Sequence, residues 1–234
     1  CAPSLNVYEQ VKALNVNGRE LAIRFAGGHI HLGLHNPGDQ TAIKGAVRGM
    51  DRILGILSVS MFEGIEDTRR RAFYGRAGEY RAPSYGVEYR TLSSAMLAHP
   101  IAAHLCYDLG RFSASIGQSP AMAEWNVSSD EEVQRIINEY DVKAARQVLK
   151  DNEKMFRQML LQCYTLNMVI GPHVSMQGIL KLGDILINEP LKNVLEMDDI
   201  TESWKLAKPW KEIANGVNAG WAGHSESLNC SIGR

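Results

Sequence analysis

A chain of 234 residues, 45% hydrophobic and 22% charged, has enough apolar content for one sizeable folded core. Its formal net charge of −1 argues against a composition built to bind nucleic acid, and it contains no run of about 18 apolar residues to span a bilayer. Four widely spaced cysteines, Cys1, Cys106, Cys163 and Cys230, form no Cys-x-x-Cys pair, which predicts free thiols and a reducing compartment.

Residues 1–18 read as irregular, with Pro3 and Asn17-Gly18 as turn signals. Leu21, Ile23 and Phe25 alternate and predict a strand over 19–26, which Gly27-Gly28 interrupts before His29-Ile30-His31-Leu32 resumes the alternation. From Asp39 to Met61 the apolar positions Ile43, Val47, Met50, Leu54 and Leu57 have helical spacing, and Arg48 and Arg52 share the outer side. Residues 67–83 are rich in Arg, Gly and Tyr and predict an ordered loop or hairpin. Tyr85 to Leu92 predicts a strand. Ser94 to Ile116 predicts a helix interrupted or restarted at Pro100, and Ser119-Pro120 ends it. Ser129-Asp-Glu-Glu132 is a capping box that opens a short helix, followed by a longer one carrying Ala145, Leu149, Phe156, Leu160 and Cys163 on one face. Residues 174–187 have room for one more short helix, and the tail from Glu189 is turn-rich. Strand, helix, strand and then helices is the order of an α+β domain, with helices packed on one side of an antiparallel sheet.

Three segments carry chemistry. His29 and His31 are two apart on a strand, so both imidazoles share a face and suit a divalent metal or phosphate oxygens, unless they are simply packed histidines. Gly27, Gly28 and Gly33 around them permit close backbone approach by a ligand. Glu88 and Arg90 repeat that geometry and suit either a structural salt bridge or a divided role, with the carboxylate on Mg²⁺ and the guanidinium on an anion. Between them, Arg69, Arg70, Arg71, Arg76 and Arg81 fall within thirteen residues. An arginine-only set interleaved with Gly and Tyr points to planar anion recognition more than to a solvated charge run. No Walker-type loop is present, so a nucleotide site here is of another kind.

In that order, Gly27-Gly-His29-Ile-His31-Leu-Gly33, the Arg69–Arg81 segment and Tyr85-Gly-Val-Glu88-Tyr-Arg90-Thr-Leu-Ser93 resemble the phage-type carboxylate–amine ligases, relatives of glutamine synthetase and glutamate–cysteine ligase. The resemblance is good over roughly residues 20–100 and looser in the later helices. It implies the antiparallel sheet of a glutamine-synthetase-like catalytic domain. Residues 1–125 would be the C-terminal part of that domain, and 126–234 a helical extension and turn-rich tail packed on it. It implies His29 and Glu88 as metal ligands, His31 near the phosphates, and Arg90 on the acid substrate. Arg71, Arg76 and Arg81 would hold ATP and the acyl phosphate, with Arg76, Arg81 and Arg90 the catalytic cations. The implied cofactors are ATP and Mg²⁺ or Mn²⁺. A substrate carboxylate would attack the γ-phosphate, and an amine would displace phosphate from the acyl phosphate. The partners implied are small-molecule or peptide carboxylates and amines, with no nucleic acid or membrane. The location expected is the cytoplasm, the host's if the chain is phage-encoded.

The resemblance also predicts paired acidic ligands on an earlier strand. Residues 1–18 hold one acidic residue, Glu9, so the expectation is that the N-terminal part of the domain is missing, or that this chain associates with it or forms a homo-oligomer. Glu63, Glu66, Asp67 and Glu79 are local substitutes among which spacing does not choose. Two other expectations compete: a recruited structural or assembly protein, with a place in the virion, and an N-terminal-nucleophile amidohydrolase acting through Cys1.

Overall fold

In the computed structural model, residues 4–9, 26–165 and 176–205 are described, apart from 126, 128 and 196. Residues 19–25 of the expected strand, residues 206–234 of the turn-rich tail with Cys230, and the candidate nucleophile Cys1 lie outside them.

Four short strands form one antiparallel sheet: β1 (Leu5–Asn6), β2 (Ile30–Gly33), β3 (Glu79–Arg81) and β4 (Gly86–Tyr89), in the order β1-β3-β4-β2. The α+β expectation therefore holds. Residues 1–18 are not wholly irregular as expected, because Leu5 and Asn6 pair with Tyr80 and Glu79 as an edge strand. Two residues are too few for alternation to register in the sequence.

The register sorts the side chains by face. Ile30 faces Tyr89 and Leu32 faces Val87 across β2 and β4, and Tyr80 follows Tyr89 onto β3. All five are buried in the main hydrophobic cluster, against helices α1 (Gln40–Met50) and α3 (Pro100–Gly117). The alternate residues, His31, Glu88 and Arg81, line up on the other face. The same cluster runs from Val7 to Met197, so the later helices share the core of the sheet.

The helix expected from Asp39 to Met61 is capped by the Asp39 carboxylate, which accepts from the amides of Thr41 and Ala42. It is not one regular helix. A π-helical turn at Asp51–Gly55 separates α1 from α2 (Ile56–Met61). That turn brings Asp51 fully inside, where its Oδ1 accepts hydrogen bonds from the Tyr89 hydroxyl at 2.7 Å and the Thr91 hydroxyl at 3.2 Å. An extra residue in a helical turn leaves the apolar spacing nearly intact, which hides it from periodicity. Arg48 and Arg52 share one side as expected, and both reach Asp130.

Helix α3 starts at Pro100, with His99 accepting from the Ile101 amide through Nδ1. It crosses α1 on glycine: Gly49 lies against Gly117 so closely that a Cβ there would meet the Gly117 Cα at 2.5 Å. Ser129 Oγ accepts from the Glu132 amide, the N-cap half of the expected box, and opens α4 (Asp130–Glu139), while the Glu132 carboxylate takes Arg135. The long helix expected next is two helices, α5 (Val142–Asp151) and α6 (Glu153–Thr165). Asn152 breaks it by turning its side-chain amide onto the Val148 carbonyl, which also accepts its backbone N–H. Helices α7 (Met176–Asn188) and α8 (Ile200–Lys205) complete the fold. Cys106 and Cys163 are free, buried thiols. Among the described residues, no helix is long and apolar enough to cross a membrane.

Candidate functional site

Glu88 is the centre of the polar face. On β4 it stands directly opposite His31 of β2 and Arg81 of β3, with neighbours on both sides. Its Oε1 lies 3.1 Å from His29 Nδ1, 3.4 Å from Arg81 Nη1 and 3.4 Å from Arg90 Nη1. Glu88 is 6% exposed, as is Arg90, so these contacts are made away from bulk water. Because β4 is central and its polar face is covered, the strand is buried throughout, and Glu88 and Arg90 are buried despite their charge.

His29, His31 and Glu88 each offer one ligand atom, and the three atoms lie within 4.8 Å of one another. Two imidazole nitrogens and a carboxylate oxygen fit a divalent cation in donor chemistry and in reach. Burial, and next the nearby Arg90 charge, hold the His29 pKa below its ordinary value, which favours the neutral, ligating imidazole. The outer nitrogens are engaged by tyrosines. His29 Nε2 meets the Tyr74 hydroxyl, and His31 Nδ1 is 2.5 Å from the Tyr85 hydroxyl.

Arg90 is the other unusual group. Its guanidinium sits 5.0 Å above the Tyr74 ring. Its Nη1 is within ion-pair reach of Glu88 but is not aligned for a hydrogen bond, and both Nε and Nη1 are buried without an acceptor among the described residues. Arg76 Nε and Arg81 Nε are buried in the same condition. Buried guanidinium N–H groups are costly to leave unmet, and planar anions are the ligands that meet them. Glu79, next along β3 on this face, accepts from the Gly75 amide at 3.0 Å, and burial raises its pKa.

The arginine cluster divides by partner. Arg69 is exposed and pairs with Asp67. Arg70 and Arg71 are buried and both grip Glu66, at 2.8 Å and 3.0 Å. Arg71 also donates to the Gly75 carbonyl and lies over the Tyr140 ring. Arg81, through Glu88, is the member joined to the histidine cluster, and Arg76 Nε is left unmet. Glu63 pairs with Arg146. Of the acidic substitutes that spacing left open, Glu63, Glu66 and Asp67 thus have arginine partners of their own.

Sequence reasoning missed Tyr74 and Asp51, and it gave Tyr85 only as the start of a strand and Glu66 only as one of four acidic substitutes. Tyr74 lies within the arginine run and Tyr85 just before the Glu-x-Arg strand, but aromatic residues in bends and turns carry no periodic signal. Only the fold of that run carries Tyr74 against Gly27, where any side chain would strike its ring. The Gly27-Gly28 pair thus serves internal contacts, since a Cβ at Gly28 would meet the Ser93 carbonyl oxygen at 2.5 Å. Gly33 alone of the three remains open.

No curated protein and no solved structure matches the chain significantly. A family profile covers most of it, including every residue of the site just described. The chain belongs to the family described as phage phiEco32-like COOH.NH2 ligase-type 2, which it matches over residues 8–206.

Proposed function

We propose that this chain carries the site of an ATP-dependent carboxylate–amine ligase that works with Mg²⁺ or Mn²⁺ and forms an amide through an acyl phosphate. The observation that carries the proposal is the convergence of His29, His31, Glu88, Arg81 and Arg90 on one sheet face. The family's description supports the reaction class, and the proposed fold relationship is to the glutamine-synthetase-like catalytic domain. His29 and Glu88 hold the cation, which when bound supplies positive charge to phosphate oxygens. Arg81 and Arg90 lean on Glu88, and both turn to a substrate anion once Glu88 is committed to a cation. Arg90 and Arg76, with unmet buried N–H groups, bind the acid carboxylate and the phosphate, holding the two reacting groups in one orientation. The substrates are a small-molecule or peptide carboxylate and an amine.

The test is an assay of the full-length protein for cation-dependent phosphate release from ATP, with mixtures of amino acids and peptides as acid and amine. Release that needs both substrates, and loss of nucleotide binding in Glu88→Ala with the fold retained by circular dichroism, are expected. Failure of the full-length protein to bind ATP in the presence of Mg²⁺ or Mn²⁺ sinks the proposal.

A further inference from the structure

The side chains around Glu88 say which kind of cation the site prefers. This inference rests on the proposed reading that the cluster holds a metal, and it departs from that reading in which metal the donors favour. The family resemblance places His31 near phosphate, but the structure puts it directly across from Glu88, in the same ligand cluster as His29. The donor set is therefore two imidazoles and one carboxylate. Mg²⁺ takes oxygen ligands in a near-ideal octahedron and dehydrates reluctantly, whereas imidazole suits the Fe²⁺, Co²⁺ and Zn²⁺ class. Among the described residues no second carboxylate joins the cluster. Two cations, Arg81 and Arg90, already draw on the carboxylate that is there. A hard ion that depends on anionic oxygen gains least in such surroundings.

We infer that the His29–His31–Glu88 site selects an imidazole-preferring divalent transition ion over Mg²⁺, with Tyr74 and Tyr85 as the positioning residues that orient its two histidines. The hydrogen bonds specify how. His29 faces Glu88 with Nδ1 and the Tyr74 hydroxyl with Nε2, so it ligates through Nδ1 and donates the Nε2 proton to Tyr74. Tyr85 holds Nδ1 of His31, which assigns Nε2 to the metal. Ligating histidines that donate their second N–H to a fixed acceptor are locked in tautomer and ring orientation. Tyr74 is itself held in place, with Arg90 over its ring and Gly27 against its edge.

The test uses the full-length protein stripped with a chelator and titrated separately with Co²⁺ and Mg²⁺ by calorimetry. One equivalent of Co²⁺, bound at least about tenfold more tightly than Mg²⁺, is expected from the donor set. Proton spectra of the Co²⁺ form should show two hyperfine-shifted, exchangeable imidazole N–H signals. Tyr74→Phe and Tyr85→Phe should each weaken Co²⁺ binding by about tenfold and leave the thermal stability of the stripped protein unchanged. A smaller Co²⁺ preference, fewer than two imidazole signals, or Co²⁺ binding that survives His31→Ala overturns the inference. Mg²⁺-supported phosphate release without Co²⁺ preference would leave the ligase proposal standing and remove this one. Histidine-bound Co²⁺ in a protein that binds no nucleotide would do the opposite.

Discussion

His31 and Glu88 face each other across adjacent antiparallel strands, and Arg81 faces Glu88 from the opposite side. One buried carboxylate thus joins an imidazole strand to an arginine strand. Separate motifs some 50 residues apart in sequence become one row of side chains by register alone.

Arginines that look alike in sequence are expected to behave differently. Arg81→Ala removes a partly exposed partner of Glu88 from the site face. It should weaken binding of a nonhydrolysable ATP analogue by about tenfold or more, the loss typical of a charge-assisted contact, with little change in stability. Arg71→Ala should do the reverse, because Arg71 is buried on Glu66 and the Gly75 carbonyl. Parallel calorimetry and urea unfolding of the two variants separate these outcomes. Equal nucleotide losses would show that Arg71 reaches the ligand.

Glu66 neutralises two buried arginines with one carboxylate. Glu66→Gln keeps the shape and removes the charge, leaving Arg70 and Arg71 without a counter-ion. The expected cost is about 3 kcal/mol in urea unfolding, in the range for breaking a buried ion pair. A loss under about 1 kcal/mol would place the arginines in contact with water.

Gly49→Ala should destabilise the protein although alanine favours helices. The new methyl would strike the Ser113 carbonyl oxygen and the Gly117 Cα, both backbone atoms that cannot swing away. Overpacking costs about 1–3 kcal/mol, more than the 0.5–1 kcal/mol or so that alanine returns in a helix. Gly38→Ala, where a Cβ meets only the Asn36 side chain at 3.8 Å, is the matched control and should change little.

Burial pushes the Asp51 carboxyl up to about 7, against the hydrogen bonds from Tyr89 and Thr91 that lower it. The folded chain therefore keeps a proton that the unfolded chain gives up in the ordinary carboxylate range. The stability associated with that proton is complete at low pH and is lost progressively as pH rises to about 7. Asp51→Asn cannot titrate. The difference in Tm, variant minus wild type, should rise with pH from about 4.5 to 7 and then level off. A difference that is flat with pH would mean Asp51 is ionised throughout.

Much of this was legible before any coordinates. The period-3.6 stripe of Ile43, Val47, Met50 and Leu54, the Ser129 capping box and the start at Pro100 are local signals, read from neighbours along the chain. The ordered pair His29/His31 and Glu88/Arg90 is local too, since alternation puts each pair on one face. The division of the arginine run was not legible, because Arg69, Arg70, Arg71, Arg76 and Arg81 have the same charge and differ only in what the fold sets beside them. The π-helical turn at Asp51 and the break at Asn152 also escaped. Asp51 answers buried hydroxyls distant in sequence and Asn152 bonds the Val148 carbonyl, while the apolar spacing continues past both.

The sequence by itself determined which residue types could do chemistry, and the family to which their order belongs. The tertiary structure decided that Glu88 is the shared member of the cluster, that His31 stands beside His29 and Glu88, and that Tyr74 and Tyr85 meet the two imidazoles. The physical reason is register. Antiparallel pairing sets residues side by side that the chain keeps far apart, and which group answers a buried charge depends on that neighbour.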